Sequence, residues 1–305
     1  MQPVRQKTLK SAISCSGVGL HSGERTSITL HPAEIGSGIV FRRRGAANGG
    51  VIRATYCNVV RTTMCTTLGN REGATVATVE HLMAAFAGCE IDNAIVEIDG
   101  SEVPVMDGSA APFVSLIDCA GIVEQSAPRA AIQVIKPIGV SDGQRMASLA
   151  PADGFLVSFE IHDRPPIDRQ DGCFEVTGNT FRNEIASART YGFVEEIETL
   201  RANGLARGGS LDNAVVVSGS RILNDGGLRF PDEFVRHKVL DSIGDLYLAG
   251  APLIGHFHGR ASGHAVNVDL LRALFADPTA WRRIEGGQAG APTTAWPAAM
   301  VAVPA

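Results

Sequence analysis

The chain has 305 residues, room for two domains of about 150 residues or for one large one. With 45% hydrophobic and 19% charged residues it is a packed globular chain and not a disordered one. A net charge of −5 leaves no basic footprint for nucleic acid and no general attraction to an anionic membrane. Along the N-terminal third, short apolar runs at Ile13–Gly17, Thr26–Leu30 and Gly38–Phe41 alternate with turn residues and predict half-buried strands, with a loop over Arg43–Gly50. A first helix is predicted over Val79–Ala87, with Thr78 as its N-cap and Gly88 as its stop. A strand (Ala94–Ile98), a turn (Asp99-Gly100) and a second helix (Ala111–Cys119) follow, and Gly121–Arg129 reads as a linker.

The second half repeats this grammar. Strands are predicted at Ile132–Ile135, Arg145–Leu149 and Phe155–Ile161. A helix over Phe193–Ala202 ends at Asn203-Gly204, and a glycine-rich loop (Gly204–Asp212) leads to a strand, Ala214–Ser218. A long helix starts at Pro231, a good first helical position, and runs to Leu248, where Gly250 and Pro252 stop it. Asp92-Asn93-Ala94-Ile95-Val96 is echoed by Asp212-Asn213-Ala214-Val215-Val216, either by chance or as the trace of a duplication. The expected organisation is an N-terminal α+β domain (1–125), a C-terminal α+β domain (130–285) and a loosely held tail (286–305). No apolar signal core follows Arg5, Lys7 and Lys10, and the six cysteines have no C-x-x-C spacing. Reduced, mostly packed thiols in a cytoplasmic protein are expected.

On the long helix, Val235, Val239, Leu240, Ile243, Leu246 and Tyr247 form the apolar face, while His237, Asp241 and Asp245 recur at i, i+4 and i+8 on another. An i, i+4 His/Asp pair can put an imidazole nitrogen and a carboxylate oxygen on one zinc ion. The same spacing also describes an exposed face with an Asp–His contact. Glu80-His81 stands in the first turn of the first helix, where a glutamate beside a ligand histidine can act as a general base or can simply favour the helix N-terminus. Together these residues supply two histidines, an aspartate and a neighbouring glutamate, the composition of a catalytic zinc site.

Two further segments carry chemistry. His264, in Ser262-Gly263-His264, can serve as a general acid or as a cation beside a developing oxyanion, or be a surface imidazole. It follows the strand Gly255-His256-Phe257-His258, whose two histidines alternate on one face and read as structural. In Ala188–Phe193, Thr190 offers a hydroxyl donor and Tyr191 an aromatic plate suited to a sugar ring, unless the segment is only a helix start.

A series of segments runs in order over nearly the whole chain. They are Gly17-Val18-Gly19-Leu20-His21-Ser22-Gly23, Met64-Cys65-Thr66-Thr67-Leu68, Val79-Glu80-His81-Leu82 and Val103-Pro104-Val105-Met106-Asp107-Gly108-Ser109. In the second half they are Ala188–Phe193, Arg229-Phe230-Pro231-Asp232-Glu233, Val235–Tyr247 and Ser262-Gly263-His264-Ala265. Jointly they resemble the UDP-3-O-acyl-N-acetylglucosamine deacetylase family, the zinc amidases of lipid A biosynthesis in Gram-negative bacteria. The resemblance implies two similarly built α+β domains, each a β-sheet packed on α-helices, facing each other across an interdomain active site. It implies Zn2+ on His81, His237 and Asp241, with Fe2+ able to replace it in the cell. Glu80 would be the general base, His264 the general acid or electrostatic partner held by Asp245, and Thr190 the oxyanion donor. Lys238, Tyr191 and His21 would contact the substrate. An insert at 192–217 would supply an acyl-chain passage through Phe193, Val194, Ile197, Leu200, Leu205 and Val215. The implied partner is the acylated UDP-sugar, with no nucleic acid, no stable membrane insertion and a monomeric, cytoplasmic chain.

The sequence departs from the family pattern in places. Tyr191 stands where the family usually has Phe. Phe159–Arg169 offers no clear match to the aromatic that family members often place against the uracil, leaving His162 as a substitute. Ala261 stands at a family lysine, so that Arg260 would supply the charge, with Arg145 as a second phosphate contact.

Overall fold

The computed structural model describes residues 4–46 and 50–286, so the expected tail beyond Gly286 lies outside the described residues. The first half contains β1 (Arg5–Leu9), β2 (Ile13–Val18), β3 (Arg25–Pro32), β4 (Ile39–Arg43) and β5 (Val51–Arg53). It continues with β6 (Val59–Arg61), β7 (Thr67–Gly69), β8 (Thr75–Val76), α1 (Glu80–Gly88), β9 (Ala94–Ile98), α2 (Ala111–Ala120) and β10 (Ile122–Pro128). The second half opens with β11 (Ala130–Val134), β12 (Ile138–Asp142), β13 (Arg145–Ala150), β14 (Phe155–His162) and β15 (Arg169–Glu175). A short turn of helix, α3 (Gly178–Thr180), leads to β16 (Tyr191–Phe193), α4 (Val194–Ala202), β17 (Val215–Ser218) and β18 (Arg221–Ile222). The last elements are α5 (Glu233–Tyr247), β19 (Leu253–Arg260), α6 (His264–Ala276) and β20 (Trp281–Glu285).

Strand pairing shows that the fold is α+β with an internal repeat. In the first half the order is β2-β3-β9-β4-β5, with β4 parallel to β9 and the other pairs antiparallel. In the second half, five strands of a seven-stranded sheet, β12-β13-β19-β14-β15, have the same order, with β14 parallel to β19; β11 also runs parallel to β19 and carries β20. The helices follow suit, since α1-β9-α2 corresponds to α5-β19-α6. The Asp-Asn-Ala echo is therefore not the trace of this repeat. It matches β9 to β17, which belongs to a separate three-stranded sheet, whereas the counterpart of β9 is β19. Each half also carries its own insertion before its central helix, the β6-β7-β8 sheet in the first and β16-α4-β17-β18 in the second.

The periodicities explain the layers. β14 buries Val157, Phe159 and Ile161 and turns Ser158 and Glu160 outward, and β19 buries Leu253 and Phe257 in the same alternation. α1 is apolar almost all round, with Leu82, Met83, Ala84, Ala85 and Phe86 buried, as a fully interior helix must be. It packs against α5, which buries most of its length.

Several expectations need correction. Gly121–Arg129 is not a linker, because β10 pairs antiparallel with β1 and ties the N-terminus down. Thr78 is not an N-cap; it adopts φ 55°, Val79 holds the cap position, and no side chain caps α1. Helix α6 adds an element to those expected, and His264 is its first residue. Only Cys65 and Cys89 of the six free thiols are buried. Among the described residues no helix is long and apolar enough to cross a membrane.

Candidate active site

α1 and α5 cross where the first delivers Glu80-His81 and the second His237, Asp241 and Asp245. His81 Nε2 and His237 Nε2 lie 3.5 and 3.3 Å from Asp241 Oδ1, and one donor atom from each residue falls within 4.8 Å of the others. His237 Nδ1 donates to the Ala188 carbonyl at 3.1 Å, which leaves the Nε2 lone pair toward the site. Asp241 Oδ2 accepts from Lys238 Nζ at 3.1 Å, while Oδ1 is buried with no hydrogen-bond partner. A buried carboxylate oxygen without a donor is costly, and two imidazole nitrogens converging on it make a set that fits a divalent metal ion. Burial pushes His237 down to about 4, which keeps it a neutral ligand at pH 7. Burial opposes the charge of Asp241, but the neighbouring His237, Lys238 and His81 outweigh it and hold the carboxyl well below its usual range.

Beside these three residues lies an acid–base pair. His264 Nε2 is 3.8 Å from Glu80 Oε1. Burial pushes Glu80 up to about 8, against the pull of His264 and His81. His264 is raised to about 10, since Asp245 and Glu80 outweigh the burial that disfavours its charge. Asp245 is fully engaged: Oδ2 accepts from His264 Nδ1 at 2.9 Å and Asn267 Nδ2 at 3.0 Å, and Oδ1 from the Thr66 hydroxyl at 2.6 Å. The Thr66 amide donates in turn to Glu80 Oε2 at 3.1 Å. Thr66 and His264 thus bridge the two carboxylates from opposite sides.

The Ala188–Tyr191 segment is fixed from two directions. Glu233, fully buried in the first turn of α5, accepts from the Arg189 amide at 3.0 Å, its guanidinium at 2.8 Å and the Arg229 amide at 2.6 Å. The Thr190 amide donates to the Gly108 carbonyl and its carbonyl accepts from Val215, both at 2.8 Å. At Gly108, φ is +86° and a Cβ would fall 2.8 Å from the Asn213 carbonyl carbon, so only glycine lets these two segments meet.

These groups line one cavity of about 290 Å³. His21, Glu80, His81, Thr190, Tyr191, His237, Lys238, Asp241 and His264 all border it. Its apolar wall comes from Phe193, Ile197, Leu200 and Val216. Lys238 Nζ sits 5.7 Å over the Tyr191 ring, whose edge meets Phe234 at a 5.0 Å centroid distance.

A family profile described as LpxC, UDP-3-O-acyl N-acetylglycosamine deacetylase, matches residues 6–276. The chain belongs to this deacetylase family. A UDP-3-O-acyl-N-acetylglucosamine deacetylase of Acidithiobacillus ferrooxidans is 51% identical over 292 residues, 95% of this chain and 96% of the relative. One of Pseudomonas entomophila is 50% identical over 281 residues, covering 91% and 92%. Another, of Idiomarina loihiensis, is 48% identical over 298 residues, covering 96% and 97%.

Not every deacetylase residue expected from the sequence lies in the cavity. Arg145 opens β13 opposite Asp142, and Arg260 ends β19 opposite Met146; both are exposed and neither lines the cavity wall. His162 is exposed and away from the wall, which instead takes its neighbour Asp163. Of the apolar residues expected for the passage, Val194 is exposed, Val215 lies in the core and Leu205 is off the wall; Val216 faces the cavity because β17 alternates. Sequence reasoning missed Thr66, Asn267 and Glu233, although Thr66 and Glu233 lie inside family segments.

Proposed function

We propose that this deacetylase hydrolyses the N-acetyl group of UDP-3-O-acyl-N-acetylglucosamine, giving acetate and UDP-3-O-acyl-glucosamine, the committed step of lipid A biosynthesis. One observation carries the reading: a single cavity joins Glu80, His264 and the His81, His237 and Asp241 group to an apolar wall at Phe193, Ile197 and Leu200. Amide chemistry and room for an acyl chain occur together there. His81, His237 and Asp241 would hold Zn2+, with Fe2+ as an alternative in the cell. When bound, the ion supplies Lewis acidity that polarises the acetamide carbonyl and lowers the pKa of water from 15.7 toward ~7.

The chain's own residues do the rest. Glu80, with Oε2 held by the Thr66 amide, takes a proton at Oε1 from the attacking water; a pKa of about 8 suits a base working near neutrality. Thr190 and the His264 cation stabilise the oxyanion, and His264 is held in place by Asp245. The departing amine is protonated by His264 or by Glu80. Lys238, Tyr191 and His21 contact the substrate, and Arg145, Arg260 and His162 would reach its nucleotide from outside the cavity wall. We assign residues 1–125 and 130–285 to two domains with the site between them, and 192–217 to the acyl-chain passage. The protein works as a cytoplasmic monomer.

The test is acetate release from the acylated UDP-sugar by purified protein before and after chelation, and again with zinc returned. Release that disappears with the chelator and recovers with zinc supports the reading. No release from folded, zinc-loaded protein overturns it.

A further inference from the structure

Glu102 lies outside the set described above, yet it is a buried carboxylate, 3% exposed, with no cationic side chain bonded to it among the described residues. Its oxygens are taken by three donors near the cavity. Oε1 accepts from the His21 amide at 2.9 Å and the Thr78 hydroxyl at 2.8 Å, and Oε2 from the Ser22 amide at 2.7 Å. One side chain therefore joins the turn that carries His21 to the residue two before Glu80. Thr78 is β-branched and left-handed at φ 55°, a conformation that persists only where surroundings over-determine it. Met64 at φ 62° and Ala206 at φ 51° are left-handed too, and all three line the cavity together with His21.

His21 is itself buried, 8% exposed. The Ala206 amide points at its Nδ1 from 3.4 Å, and since an amide N–H can only donate, the ring proton is assigned to Nε2. Nε2 is buried and has no hydrogen-bond partner among the described residues. The Met64 carbonyl acts on the ring from nearby without completing a hydrogen bond to Nε2. Burial lowers the pKa of His21 against the carboxylates of Glu102 and Glu80, so the ring is neutral at pH 7. A buried donor without an acceptor is expensive unless something arrives to accept from it.

We propose that Glu102 is a positioning residue that holds the Gly19–Ser22 turn so that the His21 Nε2–H donates to an oxygen of the bound substrate. The inference rests on the deacetylase reading, and its substrate group is a carbonyl, hydroxyl or phosphate oxygen. Glu102→Gln keeps the shape and one acceptor oxygen but turns an amide donor toward a backbone N–H. Zinc-loaded Glu102→Gln is expected to retain its metal and to lose at least tenfold in kcat/KM, mainly through KM. In a His21→Ala background the same change should cost less than twofold, because its target is gone. A full-sized loss in that background, or an unchanged kcat/KM in Glu102→Gln, overturns the proposal. 15N-histidine spectra of the wild-type protein at pH 7, with His21→Gln for assignment, give a readout independent of turnover and of any Glu102 variant. A neutral Nε2–H tautomer at His21 supports the assignment, and an Nδ1–H tautomer or a protonated ring overturns it. Absence of acetate release by the wild type would overturn the deacetylase reading instead, leaving the spectral result to stand by itself.

Discussion

Gly244 of α5 lies directly on the carbonyl of Glu80 in α1. A Cβ at Gly244 would overlap that oxygen and fall 2.8 Å from its carbonyl carbon and 3.1 Å from the Ala84 amide. The missing side chain lets the turn bearing Glu80-His81 press against the turn bearing Asp241 and Asp245. Gly244→Ala gains roughly 1 kcal/mol of helix propensity. The overlap is with backbone, which cannot rotate away, so overpacking of about 1–3 kcal/mol should dominate. Urea unfolding of the variant should show a lower midpoint and metal analysis a weaker retention. A midpoint at or above wild type would mean that the helices move apart freely.

Thr66 links the carboxylates of Glu80 and Asp245 through its amide and hydroxyl. Thr66→Val preserves the shape and the amide but leaves Asp245 Oδ1 buried without that donor, a cost of about 1–3 kcal/mol. Turnover should fall about tenfold or more as Asp245 and His264 lose their fixed geometry, with metal content unchanged. Wild-type kcat in this variant would remove Thr66 from the positioning network.

Glu80 and Asp241 should separate by their readouts. Glu80→Ala removes a proton acceptor and should lower kcat by about 10²–10⁴ while metal stays bound. Asp241→Ala removes the unpartnered Oδ1 and should weaken metal retention in dialysis against a chelator. Normal turnover in the first, or metal held as tightly as in wild type in the second, contradicts the corresponding role.

The parts of this architecture that were legible in sequence share a local cause. His237 and Asp241 are one helical turn apart and Glu80-His81 are adjacent, so spacing along single elements exposed them. The central strands were legible because one face is buried, as at Val157, Phe159 and Ile161. Two edge strands of the second half were not: β15 buries only Phe174, and β12 half-buries just Ile138 and Val140, so each carries too short an apolar signal. The residues that orient the site depend on long-range contacts that no local period encodes; Thr66 and Asp245 are 179 residues apart. Helix α6 is a different case. Val266, Leu270, Leu271 and Leu274 carry a helical stripe, so its signal was present in the local sequence.

His264 gives the protein a pH signature. Its folded pKa is raised to about 10 by Asp245 and Glu80 against burial, while an unfolded histidine titrates near ~6.5. The unfolded chain therefore releases this proton first as pH rises. The contribution of His264 to stability is fully present below about 6.5 and is lost progressively as pH rises through about 10. Metal-free wild type should lose unfolding free energy between these limits relative to metal-free His264→Gln, in which the group is absent. Asp245→Asn, which removes the largest attraction, should lose most of the same slope. Urea midpoints at pH 6, 8 and 10 for the three proteins measure this. Parallel pH dependences for wild type and His264→Gln would show that His264 is not held as a buried cation.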